Sequence, residues 1–165
     1  RLTNRLKNAG ADFVVITSIA GHFCIEEFKV KSPLPVIDLI EAVREEVELK
    51  GYSRLGILGT ERVMRSEFYG ALGNTKVVTP PPSMLAKVHA AYVELTSSGL
   101  VTGPQRETLS EACGELIEDF GVDAVLLGGT DLALVFDEET SVFPIVDCAA
   151  IHSRKVISVA MNSIF

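Results

Sequence analysis

Along the chain, short apolar runs alternate with segments in which apolar residues recur every three or four positions. Asp12–Thr17 and Arg54–Thr60 are nearly continuous apolar stretches, as expected of strands covered on both faces. Leu34–Leu39, Lys76–Thr79, Val122–Leu127 and Phe143–Val146 read as further strands. Helical spacing predicts helices over Leu2–Asn8, Ile25–Val30, Ile40–Lys50, Arg65–Leu72, Met84–Ser97, Arg106–Phe120, Leu132–Phe136 and Ala149–Met161. Thr102 or Gln105 is a candidate cap near the start of the second long helix. The run Pro80-Pro81-Pro82 reads as a rigid turn, because proline cannot continue a ladder. Strands alternating with helices predict α/β architecture with parallel sheets.

The pattern also repeats. GADFVVITS at residues 10–18 is answered by GVDAVLLGG at residues 121–129, and LPVIDL at 34–39 by FPIVDC at 143–148. Gly10 and Asp12 recur as Gly121 and Asp123 at an offset of 111 residues, and Pro35 and Asp38 as Pro144 and Asp147 at 109. An interval this long predicts two pseudo-symmetric lobes from an internal duplication, with a cleft between them, rather than a solenoid. The expected division is residues 1–52 as part of a first α/β lobe, 53–148 as a second lobe, and 149–165 as a C-terminal helix returning toward the first. The first copy has no counterpart of the strand Arg54–Thr60, so the first lobe is expected to be incomplete at its N-terminus.

Ligands of parallel α/β sheets bind at the carboxyl ends of the strands, which directs attention to Ser18, Thr60, Gly128 to Thr130, and Asp147. Ser18 and Gly129 are expected to face the cleft as a pair. Asp38 and Asp147 fit helix caps, and Asp12 and Asp123 fit structural strand starts after glycine turns.

Composition narrows the function classes. The net charge of −7 is spread over helix faces and no Lys/Arg stripe is present, which argues against nucleic acid. No segment approaches the roughly 18 to 20 apolar residues of a membrane span. Cys24, Cys113 and Cys148 are odd in number and lack zinc-ligand spacing, so no metal site is expected and the thiols fit a reducing, cytoplasmic setting.

The paired strand tips, the segment GILGT followed by a helix with Tyr69, the string LLGGTD and the string PIVDCAAIH together resemble the aspartate/glutamate racemase superfamily, over about Leu2 to Met161. The resemblance implies an isomerase of amino acid metabolism, independent of pyridoxal phosphate and of any other cofactor. Two cysteine thiols would flank the α-carbon of an acidic amino acid. The expected partners are a small dicarboxylate or amino acid and a second copy of the chain. The family's Cys-Asn-Thr-x-His stands here as Ser18-Ile19-Ala20-Gly21-His22, and its Gly-Cys-Thr-Glu as Gly128-Gly129-Thr130-Asp131. Both cysteine positions are changed, to Ser18 and Gly129.

That difference reaches the chemistry. Abstracting an α-proton needs a base on one face and an acid on the other. A serine hydroxyl is far less acidic than a thiol of pKa ~8.5, and glycine offers no group. His22, four residues after Ser18, is a candidate to activate the hydroxyl across a helical turn, against the commoner reading of a hydrogen-bonded packing residue. His152 resembles a position near the family's site, against the reading of a solvent-exposed residue near a helix start. Candidate binding residues are Thr60, Gly128, Thr130, Asp131 and Arg62. The readings that remain are an impaired or altered racemase, a catalytically silent carboxylate binder, a lyase or decarboxylase using Ser18 and His22, and an interaction domain with an incomplete cleft.

Overall fold

The structure is a computed structural model that describes residues 1–162; residues 163–165, the end of the expected C-terminal segment, lie outside the described residues. Two parallel sheets organise it. The smaller pairs β1 (Val14–Val15) with β2 (Val36–Ile37); α1 (Leu2–Asn8) precedes it in the chain and α2 (Ile25–Lys31) connects its two strands. After α3 (Leu39–Lys50) the larger sheet has the order β4-β3-β5-β6, from β3 (Arg54–Gly59), β4 (Lys76–Val78), β5 (Ala124–Gly128) and β6 (Ile145–Asp147). Between these strands run α4 (Glu61–Arg65), α5 (Pro82–Ser98) and α6 (Gly103–Glu118), and α7 (Cys148–Asn162) closes the fold.

The duplication is visible in the pairing. Val14 faces Val36 in the small sheet, as Val125 faces Ile145 in the large one. Each second strand ends in an aspartate that caps the next helix: Asp38 Oδ1 accepts from the N–H groups of Ile40 (2.8 Å) and Glu41 (3.3 Å), and Asp147 Oδ1 from those of Ala149 (2.8 Å) and Ala150 (3.0 Å). These acceptors satisfy first-turn donors that a helix cannot pair internally. At the opposite end of the strands, Asp123 accepts from the backbone N–H groups of Ser53 and Arg54, both at 2.8 Å, and so fastens β5 to β3.

The core lies around β3 and β5, whose residues Leu55, Ile57, Leu58, Leu126 and Leu127 are fully buried. Each such side chain contributes about 1.5–3 kcal/mol over its exposed state. Thr102 and Gln105 both act at the start of α6 in a reciprocal capping box: Gln105 N–H donates to Thr102 Oγ1 and Thr102 N–H to Gln105 Oε1. α7 packs back against α3, with Lys155 Nζ 2.7 Å from Glu45 Oε2.

Several elements differ from the sequence reading. The strands around Asp12–Thr17 and Leu34–Leu39 shorten to two residues each, since each pairs on one side only. Pro82 opens α5, where its missing N–H costs nothing. The helix expected over Arg65–Leu72 does not form. α4 ends at Arg65, and Glu67, Phe68 and Tyr69 all take left-handed backbone angles (φ 51°, 58° and 60°). Ser66 explains the break: its hydroxyl donates to the Val63 carbonyl and accepts from Tyr69 N–H, diverting that N–H from a helical partner. Such angles cost on the order of 1–3 kcal/mol per non-glycine residue and need support from the surroundings. Fully buried Phe68 supplies it.

Candidate functional site

Ser18 and Gly129 occupy matching places. Each is the extended residue between a strand tip and a 3-10 helix, Ile19–Cys24 after Ser18 and Thr130–Leu134 after Gly129. The tip of β3 adjoins that of β5, with Gly59 paired to Gly128. A Cβ on Gly59 would meet the Gly128 carbonyl oxygen at 2.7 Å, and one on Gly128 the Leu58 oxygen at 2.7 Å, so these glycines allow the two backbones to approach. Thr60 caps α4, its Oγ1 accepting from Val63 N–H at 3.3 Å. The segment after β3 then reaches the Ser18 loop twice: Tyr69 OH donates to the Ile19 carbonyl at 3.2 Å, and the Arg62 guanidinium lies 4.9 Å from the centre of the Phe23 ring. Thr60 and Arg62 follow β3, and Gly128 to Asp131 end and follow the adjoining β5, while Ser18 follows β1 in the other sheet and its loop is touched by Tyr69 and Arg62.

Gly129 differs from its counterpart in what surrounds it. A Cβ there would fall 2.3 Å from Cζ, 2.4 Å from the hydroxyl oxygen and 2.5 Å from Cε2 of Tyr92. The space into which a side chain at 129 would project is filled by a phenol from α5. Tyr92 is buried and its hydroxyl donates to Asp131 Oδ2 at 3.3 Å. Burial first, and the Asp131 carboxylate second, raise its pKa, so the hydroxyl stays protonated. One turn earlier on α5, His89 Nδ1 accepts from the Glu61 N–H at 3.2 Å. Sequence reasoning missed both residues. Their signal was two polar-tipped side chains three positions apart on one face of a largely apolar helix.

His22 is buried, and its Nδ1 lies 2.8 Å from the Ser18 carbonyl oxygen. A carbonyl only accepts, so Nδ1 carries the hydrogen and neutral Nε2 is left as an acceptor. The ring thus braces the turn through Ser18's backbone. Nε2 has no hydrogen-bond partner and faces Asp38 Oδ1 at 3.9 Å. Asp38 Oδ2 pairs with Lys29 Nζ at 2.5 Å. His152 is buried, not solvent-exposed, with Nε2 3.0 Å from the Ile37 carbonyl, which ties α7 to β2. A cavity of about 830 Å³ opens beside this group, lined by His22, Lys29, Asp38, Arg44 and Tyr69. Its lining includes His22 and Tyr69 but neither Thr60 nor Gly129, so this hollow lies beside the Ser18 turn and not over the tips of β3 and β5.

Burial lowers the His22 pKa from 6.5, outweighing the Ser18 carbonyl and the Asp38 carboxylate, which raise it; His152 and Lys29 act with burial. For Asp38, burial opposes ionisation, but Lys29 and the N–H groups of Glu41 and Ile40 outweigh it and hold the pKa below 3.8. Below pH 6.5 the unfolded chain protonates at His22 before the folded one does, so the His22 contribution is complete above that pH and lost as pH falls. Asp38's contribution is complete above 3.8 and lost below it. Urea midpoints are therefore expected to fall in two steps on acidification. His22→Gln is expected to flatten the step between about pH 6.5 and 5 and leave the lower one.

The thiols take no part at the tips. Cys113 and Cys148 are buried, and burial pushes the Cys113 thiol up to about 12 and the Cys148 thiol well above its ordinary range. Cys24 is half-buried, its Sγ 4.0 Å from the Gly21 carbonyl. Among the described residues, no group of three or more His, Cys, Asp or Glu could hold a metal ion, and no helix is long and apolar enough to cross a membrane.

Residues 1–156 match the family described as Asp/Glu/Hydantoin racemase. A glutamate racemase from Corynebacterium kroppenstedtii is 30% identical over 132 residues, covering 76% of this chain and 44% of that protein. This chain therefore spans less than half the length of that relative. The crystal structure of an aspartate racemase homologue from Pyrococcus horikoshii superposes with a TM-score of 0.82 at 25% identity, covering 96% of this chain and 71% of that one. The fold also matches glutamate racemase from Francisella tularensis in complex with D-glutamate, with a TM-score of 0.70, 16% identity, and coverage of 98% and 61%.

Proposed function

The chain belongs to the Asp/Glu/Hydantoin racemase family, and we propose that it binds a small acidic amino acid or related carboxylate at its strand tips while lacking the family's two-thiol proton transfer. Thr60, Arg62, Gly128, Thr130 and Asp131 are the proposed binding residues, with Ser18 and Gly129 at the two tips, in a cofactor-independent and cytoplasmic protein. The observation that carries this reading is Tyr92 in the space of a side chain at Gly129. On that face no thiol is present and none fits. On the other face Ser18 offers a hydroxyl, while His22, one turn away, bonds the Ser18 carbonyl through Nδ1 and turns Nε2 toward Asp38, so neither ring nitrogen pairs with that hydroxyl. That bond favours a silent binder over a lyase or decarboxylase using Ser18 and His22.

Loss of one positioned acid or base removes ~10²–10⁴ in rate, and here both are replaced. Incubation with aspartate or glutamate in D₂O is expected to give no α-deuterium and no change of chirality above a protein-free control, while the same ligands raise the melting temperature. Enzymatic α-exchange with Ser18 and Gly129 unchanged would contradict the loss of proton transfer. Absence of any melting shift would contradict binding.

A further inference from the structure

The residues around Gly129 differ in polarity from those around Ser18. At the 111-residue offset, Asp131 corresponds to Ala20, so the residue two places past the tip is a carboxylate in one copy only. Tyr92 comes from α5, which packs against the 3-10 helix after Gly129. The phenol gives its one hydrogen to Asp131 Oδ2 and so presents an oxygen lone pair, and the half-buried carboxylate keeps further acceptor sites, since among the described residues no hydrogen bond reaches Asp131 Oδ1. The phenol oxygen lies 2.4 Å from where the Cβ of residue 129 would be, in the volume that such a side chain's next atom would enter. A ligand on this side therefore meets a negative acceptor face, which repels a carboxylate and attracts a cationic donor.

We propose that Tyr92 and Asp131 form an ammonium-reading face in the place a thiol at position 129 would hold, so that the site selects acidic amino acids over dicarboxylates of the same chain length that lack the amine. This rests on the carboxylate-binding reading above. It adds a direction to the bound ligand: the amine toward Asp131, the carboxylates toward Thr60 and the Ser18 side.

Calorimetric titration of the protein with both enantiomers of aspartate and glutamate, and with succinate and glutarate, tests it. The better-binding enantiomer of each amino acid is expected to bind about 10-fold or more tightly than the matching dicarboxylate, as a charge-assisted hydrogen bond implies. Asp131→Asn, which keeps the shape and loses the charge, is expected to reduce that preference to under about 3-fold. Tyr92→Phe keeps the ring on Gly129, so its melting curve is expected to stay close to that of the unaltered protein while amino acid binding weakens by about 3- to 10-fold. As a readout independent of any variant's folding, the ¹³Cζ resonance of Tyr92 in the unaltered protein is expected to shift on adding the amino acid and not on adding the dicarboxylate. Equal binding of amino acid and dicarboxylate, or an Asp131→Asn variant that keeps the preference, overturns the ammonium-reading face and leaves carboxylate binding standing. Failure of all six compounds to bind overturns the carboxylate-binding reading itself, and this proposal with it.

Discussion

Gly129→Cys is expected to lower stability by about 3 kcal/mol, a fall of roughly 6–12 °C in melting temperature for a chain of this size. The reason is steric. The new Cβ would lie 2.3–2.5 Å from two ring carbons and the hydroxyl oxygen of buried Tyr92, a separation that non-bonded carbon and oxygen do not sustain. Either the ring swings out, exposing a buried aromatic and releasing Asp131, or the tip of β5 moves away from β3, to which Gly128 is paired through Gly59. Thermal unfolding of the purified variant checks this, with Gly129→Ala as a control that carries the same Cβ without the sulfur. The consequence for function is direct. Placing cysteines at 18 and 129 is not expected to create a two-thiol site by itself, because a thiol at 129 has no room until Tyr92 is made smaller.

Asp38→Ala is expected to cost about 2–3 kcal/mol in chemical denaturation, against about 1 kcal/mol for Asp147→Ala. Both aspartates cap helices through the same two backbone bonds. Asp38 alone also pairs with a lysine, at 2.5 Å from Lys29 Nζ, and faces buried His22. Removing its charge leaves the Lys29 ammonium, about 29% exposed, without its nearest buried counter-charge, which adds to the lost cap. Asp38→Asn, which can still accept from Ile40 and Glu41, is expected to fall between the unaltered protein and Asp38→Ala. Equal losses for Asp38→Ala and Asp147→Ala would contradict the assignment of an ion-pair contribution to the first copy.

The duplication was legible in the sequence because it is written in residues whose chemistry is local. A cap such as Asp38 or Asp147 acts two and three positions away, so its meaning survives without knowledge of the fold. The buried strands Arg54–Gly59 and Ala124–Gly128 were legible for a related reason, since strands covered on both faces are apolar at every position. Tyr92 was not legible. Within α5 it is one more large residue on an apolar face, and only the chain's return through α6 and β5 brings Gly129, 37 residues later in sequence, beneath its ring. Ser66 misled in the other direction: helical spacing continues through it, but its hydroxyl competes for backbone groups and turns Tyr69 toward Ile19. His22 was found by its spacing from Ser18, yet spacing alone did not distinguish a hydroxyl partner from a carbonyl partner.

Tyr92 fills the volume that a side chain at position 129 would take, and a double-mutant cycle measures this. Tyr92→Ala alone is expected to cost about 3–4 kcal/mol, from a cavity beside Gly129. In that background Gly129→Cys is expected to be neutral or stabilising, which gives a coupling of about 3 kcal/mol between the two sites. If Gly129→Cys costs the same whether or not the Tyr92 ring is present, the ring does not occupy the volume a side chain at 129 would take, which contradicts the account.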